Sequence, residues 1–199
     1  MARRSSHTPE ELRQRILEAA QNIIEREGLI GLSAREIARS IGYSPGTLYN
    51  IFENLDDVLL TLQTQMMASL VDVMKAVPTA ETPQLTIDAL AHAYVDFALD
   101  NKRMWNLLFT HYLPSEMAAP VALIENVNIV SSIVESAIAP LMAKAGKLEI
   151  EVAAKALWAG VHGVTAIAVT DKGPTLNSAT AHAFARQLVT TYTRGLTCK

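Results

Sequence analysis

The side chains with the most readable chemistry in this 199-residue chain stand between Ser44 and Phe52, in the run SPGTLYNIF. Thr47, Tyr49 and Asn50 bring two hydroxyls and an amide, groups that both donate and accept hydrogen bonds. Leu48, Ile51 and Phe52 recur at spacings of three and four, so on a helix they share the inward face. Thr47, Tyr49 and Asn50, with the Gly46 backbone, are left on the outer one. Pro45 at the first helical position has φ already set and no N–H to satisfy, and Ser44 before it is expected to accept from free backbone N–H groups. A polar, aromatic-bearing tip on a rigid core is built to meet a partner, and this is the layout of a helix that reads DNA.

A second constellation lies late in the chain. Ala156, Gly160 and Gly163 fall at i, i+4 and i+7, a strip without bulky side chains that lets another helix approach closely. Trp158, His162 and Thr165 repeat that spacing about 200° away, at about 100° per residue. A helix apolar on both sides belongs inside a larger assembly. The small-residue strip, with Phe184, Leu188 and Tyr192 of the final helix, is therefore expected to join two subunits. The opposite face then points into its own domain, toward Trp105 and Phe109 and toward Met66 and Leu70. That pocket is predicted to be largely apolar, with His162 as the hydrogen-bonding group that orients a hydrophobic or amphipathic small molecule. His7, His92, His111, His162 and His182 are read as lacking both mutual pairing at i+3 or i+4 and clustered carboxylate partners, so no metal site and no cofactor is expected.

Capped helices must position these groups. Ser33 and Glu36 form a capping box ahead of the inner stripe Ile37, Ala38 and Ile41, and Gly42 stops that helix. Upstream, Thr8, Pro9 and Glu11 repeat the cap chemistry, and Ile16, Ala20, Ile23 and Ile24 run down one face to Gly28. Helix, glycine turn, helix is helix-turn-helix grammar. A long helix over 55–76 follows, capped by Asn54, and Pro78 and Pro83 mark its end. The later stripes are Ile87, Leu90, Ala91 and Tyr94, then Trp105, Leu108, Phe109 and Tyr112, then Leu123, Val127, Val130, Val134 and Leu141. Two helices, from about Leu148 to Thr170 and from about Ser178 to Gly195, close the chain. The reading is all-α: a helix-turn-helix domain over 1–54 and a helical effector-binding and dimerisation domain over 55–199.

The run SAREIARSIGYSPGTLYNIF resembles the TetR family of one-component transcriptional regulators, through its caps, Gly42, Gly46, Tyr49 and Phe52. Two positions depart from that pattern: Ile51 stands where members often carry histidine, and Leu55 where a lysine is common. The Trp158-x-x-x-His162-Gly163 signature is similar to the C-terminal domain of a branch named for its W, H and G residues. The resemblance implies a homodimer whose recognition helices enter successive major grooves of a pseudo-palindromic double-stranded operator, as a repressor released by an effector. It assigns DNA contact to Ser33, Arg35, Ser44, Pro45, Gly46, Thr47, Tyr49, Asn50 and Asn54.

Composition sets the outer bounds. The net charge is −3, yet from Met1 to Asn54 seven basic residues balance seven acidic ones, so the acidic excess lies beyond. Arg3 and Arg4 form a small basic arm ahead of the first helix. No apolar run follows them, and the most apolar stretch, Ala153 to Val169, is short and interrupted by Lys155 and His162, so a cytoplasmic protein without a membrane partner is expected. Lone Cys198 is given no role. Nucleophile elbow, P-loop, dinucleotide fingerprint and H-E-x-x-H are all missing, which weighs against an enzyme using the helical pocket. A constitutive DNA-binding protein without an effector is the other alternative, favoured by a filled C-terminal core.

Overall fold

The computed structural model describes residues 7–111, 117–170 and 175–197. Among them are nine α-helices and no strand: α1 (Pro9–Glu27), α2 (Ala34–Ile41), α3 (Pro45–Tyr49), α4 (Leu55–Ala76), α5 (Pro83–Asp100), α6 (Lys102–Thr110), α7 (Val121–Ile138), α8 (Lys147–Thr170) and α9 (Ala181–Thr197). Short 3-10 turns follow α1 and α7. The all-α reading holds. Arg3, Arg4, Tyr112, Pro114 and Cys198 lie outside the described residues.

Two compact units form. The first takes Met1–Met66 and Arg103–Pro120, the second Met67–Lys102 and Val121–Lys199. The 54/55 boundary read from the sequence falls inside the first unit, because the opening half of α4 and α6 from Arg103 onward are counted there.

In the first unit, α1 starts at a complete capping box: Thr8 Oγ1 accepts from Glu11 N–H at 3.2 Å and Glu11 returns a carboxylate to Thr8 N–H at 2.8 Å. Leu12, Ile16, Ala20, Ile23 and Ile24 are buried, and α1 packs on α2 and α2 on α3. Gly42, at φ 78° and ψ 30°, takes the left-handed conformation that turns the chain from α2 toward α3, a conformation that a side chain would strain. The second capping box is only half made. Ser33 Oγ accepts from Glu36 N–H at 3.2 Å, but the Glu36 carboxylate turns to Arg39, three residues on, which offers it a full positive charge.

The second unit packs α5 on α9, α8 and α7, and α8 on both α7 and α9. Its core holds Ile87, Leu90, Tyr94, Val95, Val130, Val134, Leu157, Val161 and Val189. Here α8 begins at Lys147, longer than the apolar stretch read from the sequence. By length and composition, α8 and α7 with its following turn could each cross a bilayer. That is weak evidence, since core helices of a bundle meet the same description, and both pack within this unit. At the end of the chain, α9 starts at Ala181 rather than Ser178, whose hydroxyl instead accepts from Lys102 Nζ at 2.9 Å.

Candidate nucleic-acid interface and effector site

The tip of the first unit is built on two anchors. Leu48 and Phe52 are each 1% exposed, and the Arg13 guanidinium lies 4.3 Å above the Phe52 ring, a cation–π contact that fixes α1 against the end of the motif. Regular α-helix ends at Tyr49, so α3 has five residues, and Asn50, Ile51 and Phe52 continue through a tight turn in which Phe52 N–H still reaches Leu48 O at 2.9 Å. Ser44, Pro45, Gly46, Tyr49 and Asn50 are all exposed, Tyr49 at 52%, and Thr47 is half-buried. These polar groups share the open side of the short helix, as the spacing requires.

Ser44 departs from the expected cap. Its Oγ lies 3.1 Å from Thr47 Oγ1 and caps no backbone N–H, since two neighbouring hydroxyls satisfy one another with less demanding geometry. Asn54 does cap: its Oδ1 accepts from Asp57 N–H at 2.9 Å at the start of α4. Ser33 is half-buried with its hydroxyl committed to α2, while Arg35 is exposed. Most other described arginines of the unit are engaged: Arg13 donates to Thr61 at 3.2 Å, Arg15 to His7 Nε2 at 2.5 Å, Arg26 pairs with Glu27 and Arg39 with Glu36. With Nε2 accepting, His7 presents Nδ1–H to the Tyr43 hydroxyl at 2.7 Å.

The histidines correct the sequence reading. Within the first unit, His111 Nε2–H donates to Asp56 at 2.8 Å, and His111 Nδ1 meets the buried amide of Gln63 at 3.3 Å. Gln63 also donates to Leu107 O at 2.8 Å, tying α4 to α6; sequence periodicity had not singled this residue out. Within the second unit, His92 stands one turn after Asp88, whose Oδ2 also meets Arg186 Nε at 3.4 Å, and His182 pairs with Asp96 at 2.7 Å. Tertiary packing supplied carboxylates that local spacing did not reveal, except for the i, i+4 pair Asp88 and His92. Among the described residues, no group of three acidic, histidine or cysteine side chains could hold a metal ion.

The residues expected to line an effector pocket divide between the units. In the first, Met66 and Trp105 are buried, and Trp105 lies against Phe109 with ring centroids 4.8 Å apart. In the second, Leu70 is 1% exposed. Thr165 is fully buried, its hydroxyl bonded to Val161 O at 2.8 Å, and His162 Nδ1 meets the Tyr94 hydroxyl at 2.9 Å. Burial pushes the His162 imidazole below its ordinary pKa, so it is held neutral. Trp158 lines an apolar hollow of about 30 Å³ with Tyr94, Met74 and Leu90, and its buried Nε1–H has no hydrogen-bond partner among the described residues. That hollow is far below the size of small-molecule sites, about 300–1,000 Å³. A cleft of that size, about 690 Å³, opens beside it between the end of α4, the start of α5 and α7, and shares Met74 and Leu90 with it. Of Leu70, Trp158, His162 and Thr165, only Trp158 lines either space.

The small-residue strip is divided as well. A Cβ on Gly160 would come within 2.8 Å of Leu188 on α9 of the same chain, so this glycine serves helix packing inside the protomer. Gly163 faces open space, Ala156 is exposed, and Leu148, Val152, Ile167 and Phe184 are exposed apolar side chains on α8 and α9. Tyr192 is half-buried and donates to Ala153 O at 2.9 Å.

Residues 16–62 match the model of bacterial regulatory proteins of the tetR family, and residues 87–192 that of the tetracyclin repressor-like C-terminal domain. The HTH-type transcriptional regulator YobS of Bacillus subtilis is 33% identical over 86 residues, 43% of this chain and 45% of that one. The chain spans about half the length of the curated relatives it matches. In fold it resembles a Rhodococcus sp. RHA1 protein, with TM-score 0.72, 21% identity and 98% of each chain covered. It also resembles the regulator FadR of Bacillus subtilis in complex with stearoyl-CoA, with TM-score 0.68, 16% identity, and 88% of this chain and 97% of that one covered.

Proposed function

The chain belongs to the TetR family of bacterial regulatory proteins, and from that premise we propose that it is a cytoplasmic, DNA-binding transcriptional repressor, not an enzyme. It acts as a homodimer on a pseudo-palindromic operator, with the two recognition tips in successive major grooves. The observation that carries this reading is the exposed edge of Ser44, Pro45, Gly46, Thr47, Tyr49 and Asn50 above the buried Leu48 and Phe52. Arg35 and the cap at Asn54 supply phosphate contacts that set position, and Thr47, Tyr49 and Asn50 contact base edges or sugars. The dimer forms through α8 and α9. Ala156, Gly163, Val152 and Ile167 on α8 and Phe184 on α9 offer open small and apolar positions to a second copy, with Gly160 packed on Leu188 inside the protomer.

A hydrophobic or amphipathic small molecule bound in the second unit releases the operator, which it can do only by binding the DNA-incompetent state more tightly. The size of the 690 Å³ cleft supports such a ligand, as does the stearoyl-CoA held by a regulator of the same fold. Helix α4, with residues in both units, is the covalent route for the signal. Tyr49→Ala tests the DNA-reading part. With an operator selected from random-sequence DNA, affinity at fixed salt falls by about 1–3 kcal/mol while helicity is retained. Unchanged affinity at unchanged helicity removes Tyr49 from the interface.

A further inference from the structure

The walls of the large cleft differ in chemistry. Among the described residues, Lys75 is the one charged residue that lines it, and its ammonium makes no ion pair with any of them. The first turn of α5 contributes Pro83 and Thr86 and carries no acidic residue, and the positive end of that helix dipole faces the negative end of α4 across the cleft, so the Lys75 ammonium sets the sign. Along α7, Asn128, Ser132 and Ser136 recur every fourth residue, and Ile129, Ile133 and Ala137 run beside them. From Asn128 to Ser136 this two-sided wall is about 12 Å long, at about 1.5 Å per residue. The Ser132 and Ser136 hydroxyls donate to backbone carbonyls one turn earlier, at 2.9 and 2.8 Å, which leaves those two oxygens only acceptor lone pairs, beside the Asn128 amide that can both donate and accept. Met74 and Leu90 make an apolar floor that is shared with the hollow at Trp158.

We propose that this cleft binds an amphipathic monocarboxylate with a body on the order of 12 Å long. Its carboxylate meets Lys75, and its chain lies along Ile129, Ile133 and Ala137 above Met74 and Leu90. One ammonium with no guanidinium beside it matches a single carboxylate better than a phosphate, which arginine forks grip in two places. The amphipathic wall rejects both a wholly polar acid and a neutral oil. Naming this ligand the effector rests on the regulator reading; its binding does not.

Calorimetric titration of the full chain tests the site with three probes of one length: decanoate, decanol and decyltrimethylammonium. Decanoate binds, and the neutral and cationic probes bind at least about tenfold more weakly, the scale of one charge-assisted contact. Lys75→Ala loses that factor for decanoate alone, and Lys75→Glu transfers the preference to the cation. Lys75 also stands in the last turn of α4, where a cation answers the helix dipole without any ligand. Only a ligand-facing role makes the charge reversal change which probe wins. Ser132→Trp, placed on an exposed wall position, abolishes binding of decanoate with circular dichroism unchanged. No binding of decanoate to the wild type, equal decanoate affinity in the wild type and both Lys75 variants, or full binding by Ser132→Trp overturns the proposal. If the site behaves as described but decanoate leaves operator affinity unchanged, the site stands and the effector part of the regulator reading falls.

Discussion

Removing the buried amide of Gln63 isolates what ties α4 to α6 in the first unit. Gln63 is 4% exposed, and its Nε2 donates to Leu107 O at 2.8 Å and to His111 Nδ1 at 3.3 Å. Because His111 gives its other nitrogen's hydrogen to Asp56, Nδ1 is the acceptor, and the three side chains form one directed relay. Gln63→Met keeps length and flexibility but deletes both donors. The shorter bond accounts for most of the loss: about 1 kcal/mol net, rising to about 1–3 kcal/mol where a buried acceptor is left unsatisfied. The thioether recovers less than about 1 kcal/mol through packing. The expected destabilisation is about 1–2 kcal/mol, a fall in Tm of about 2–8 °C for a chain of this size. Thermal and urea melts followed by far-UV circular dichroism read it directly. Asp56→Asn is the internal control; its side chain is 36% exposed, so the variant costs less than about 1 kcal/mol. A Gln63→Met protein as stable as the wild type, or an Asp56→Asn protein that is the weaker of the two, refutes the relay.

Phe52→Ala removes a fully buried ring and the platform under Arg13, costing about 3–5 kcal/mol plus about 0.5–1 kcal/mol from the cation–π contact, and native-state hydrogen exchange should register it first in α1 and α2. His162 makes the second unit acid-sensitive. Its pKa is depressed in the fold, so the unfolded chain takes up the proton first as pH falls below about 6.5. Stability is therefore unaffected above that pH, declines below it by at most about 1.36 kcal/mol per pH unit, and levels off beneath the folded pKa. His162→Gln should flatten this part of the profile, and an identical acid slope in the variant assigns it to another group. Ala156→Glu places a carboxylate on the open apolar strip of α8 and should give a helical monomer in sedimentation. A persistent dimer puts the subunit contact on another surface.

Local chemistry was readable in the sequence because its partners sit within one turn. Thr8 and Glu11, Ser33 with Glu36 N–H, Gly42, and Asn54 with Asp57 all depend on neighbours at most four residues away. The buried stripe of α1 and the anchors Leu48 and Phe52 followed from helical period alone. Ser44 failed as a cap because a nearby hydroxyl offered competition that no spacing rule weighs. The links from His111, just past α6, to Asp56 on α4 and from His182 on α9 to Asp96 on α5 join segments distant in sequence, so only packing discloses them. Asp88 and His92, by contrast, were legible at i, i+4. The large cleft arises where helix ends meet, at Met74, Pro83 and Pro140, and a stripe-by-stripe reading has no term for ends.

The engagement of Arg13, Arg15, Arg26 and Arg39 within the first unit bears on how a regulator of this design would search a genome. Each phosphate neutralised by a protein cation steepens the fall of log affinity with log salt by about 0.9, and the same cations hold a protein on arbitrary sequence while it slides. Among its described residues, Arg13 and Arg15 are half-buried against Phe52, Thr61 and His7, and Arg26 and Arg39 stay exposed but each shares its charge with a glutamate, which leaves Arg35 as the exposed cation of the α2–α3 motif without such a partner. Its occupancy of random DNA would be brief and its ionic-strength slope shallow. Discrimination would then rest on the neutral donors and acceptors of a five-residue helix, and target finding would proceed by repeated collision from solution more than by one-dimensional diffusion.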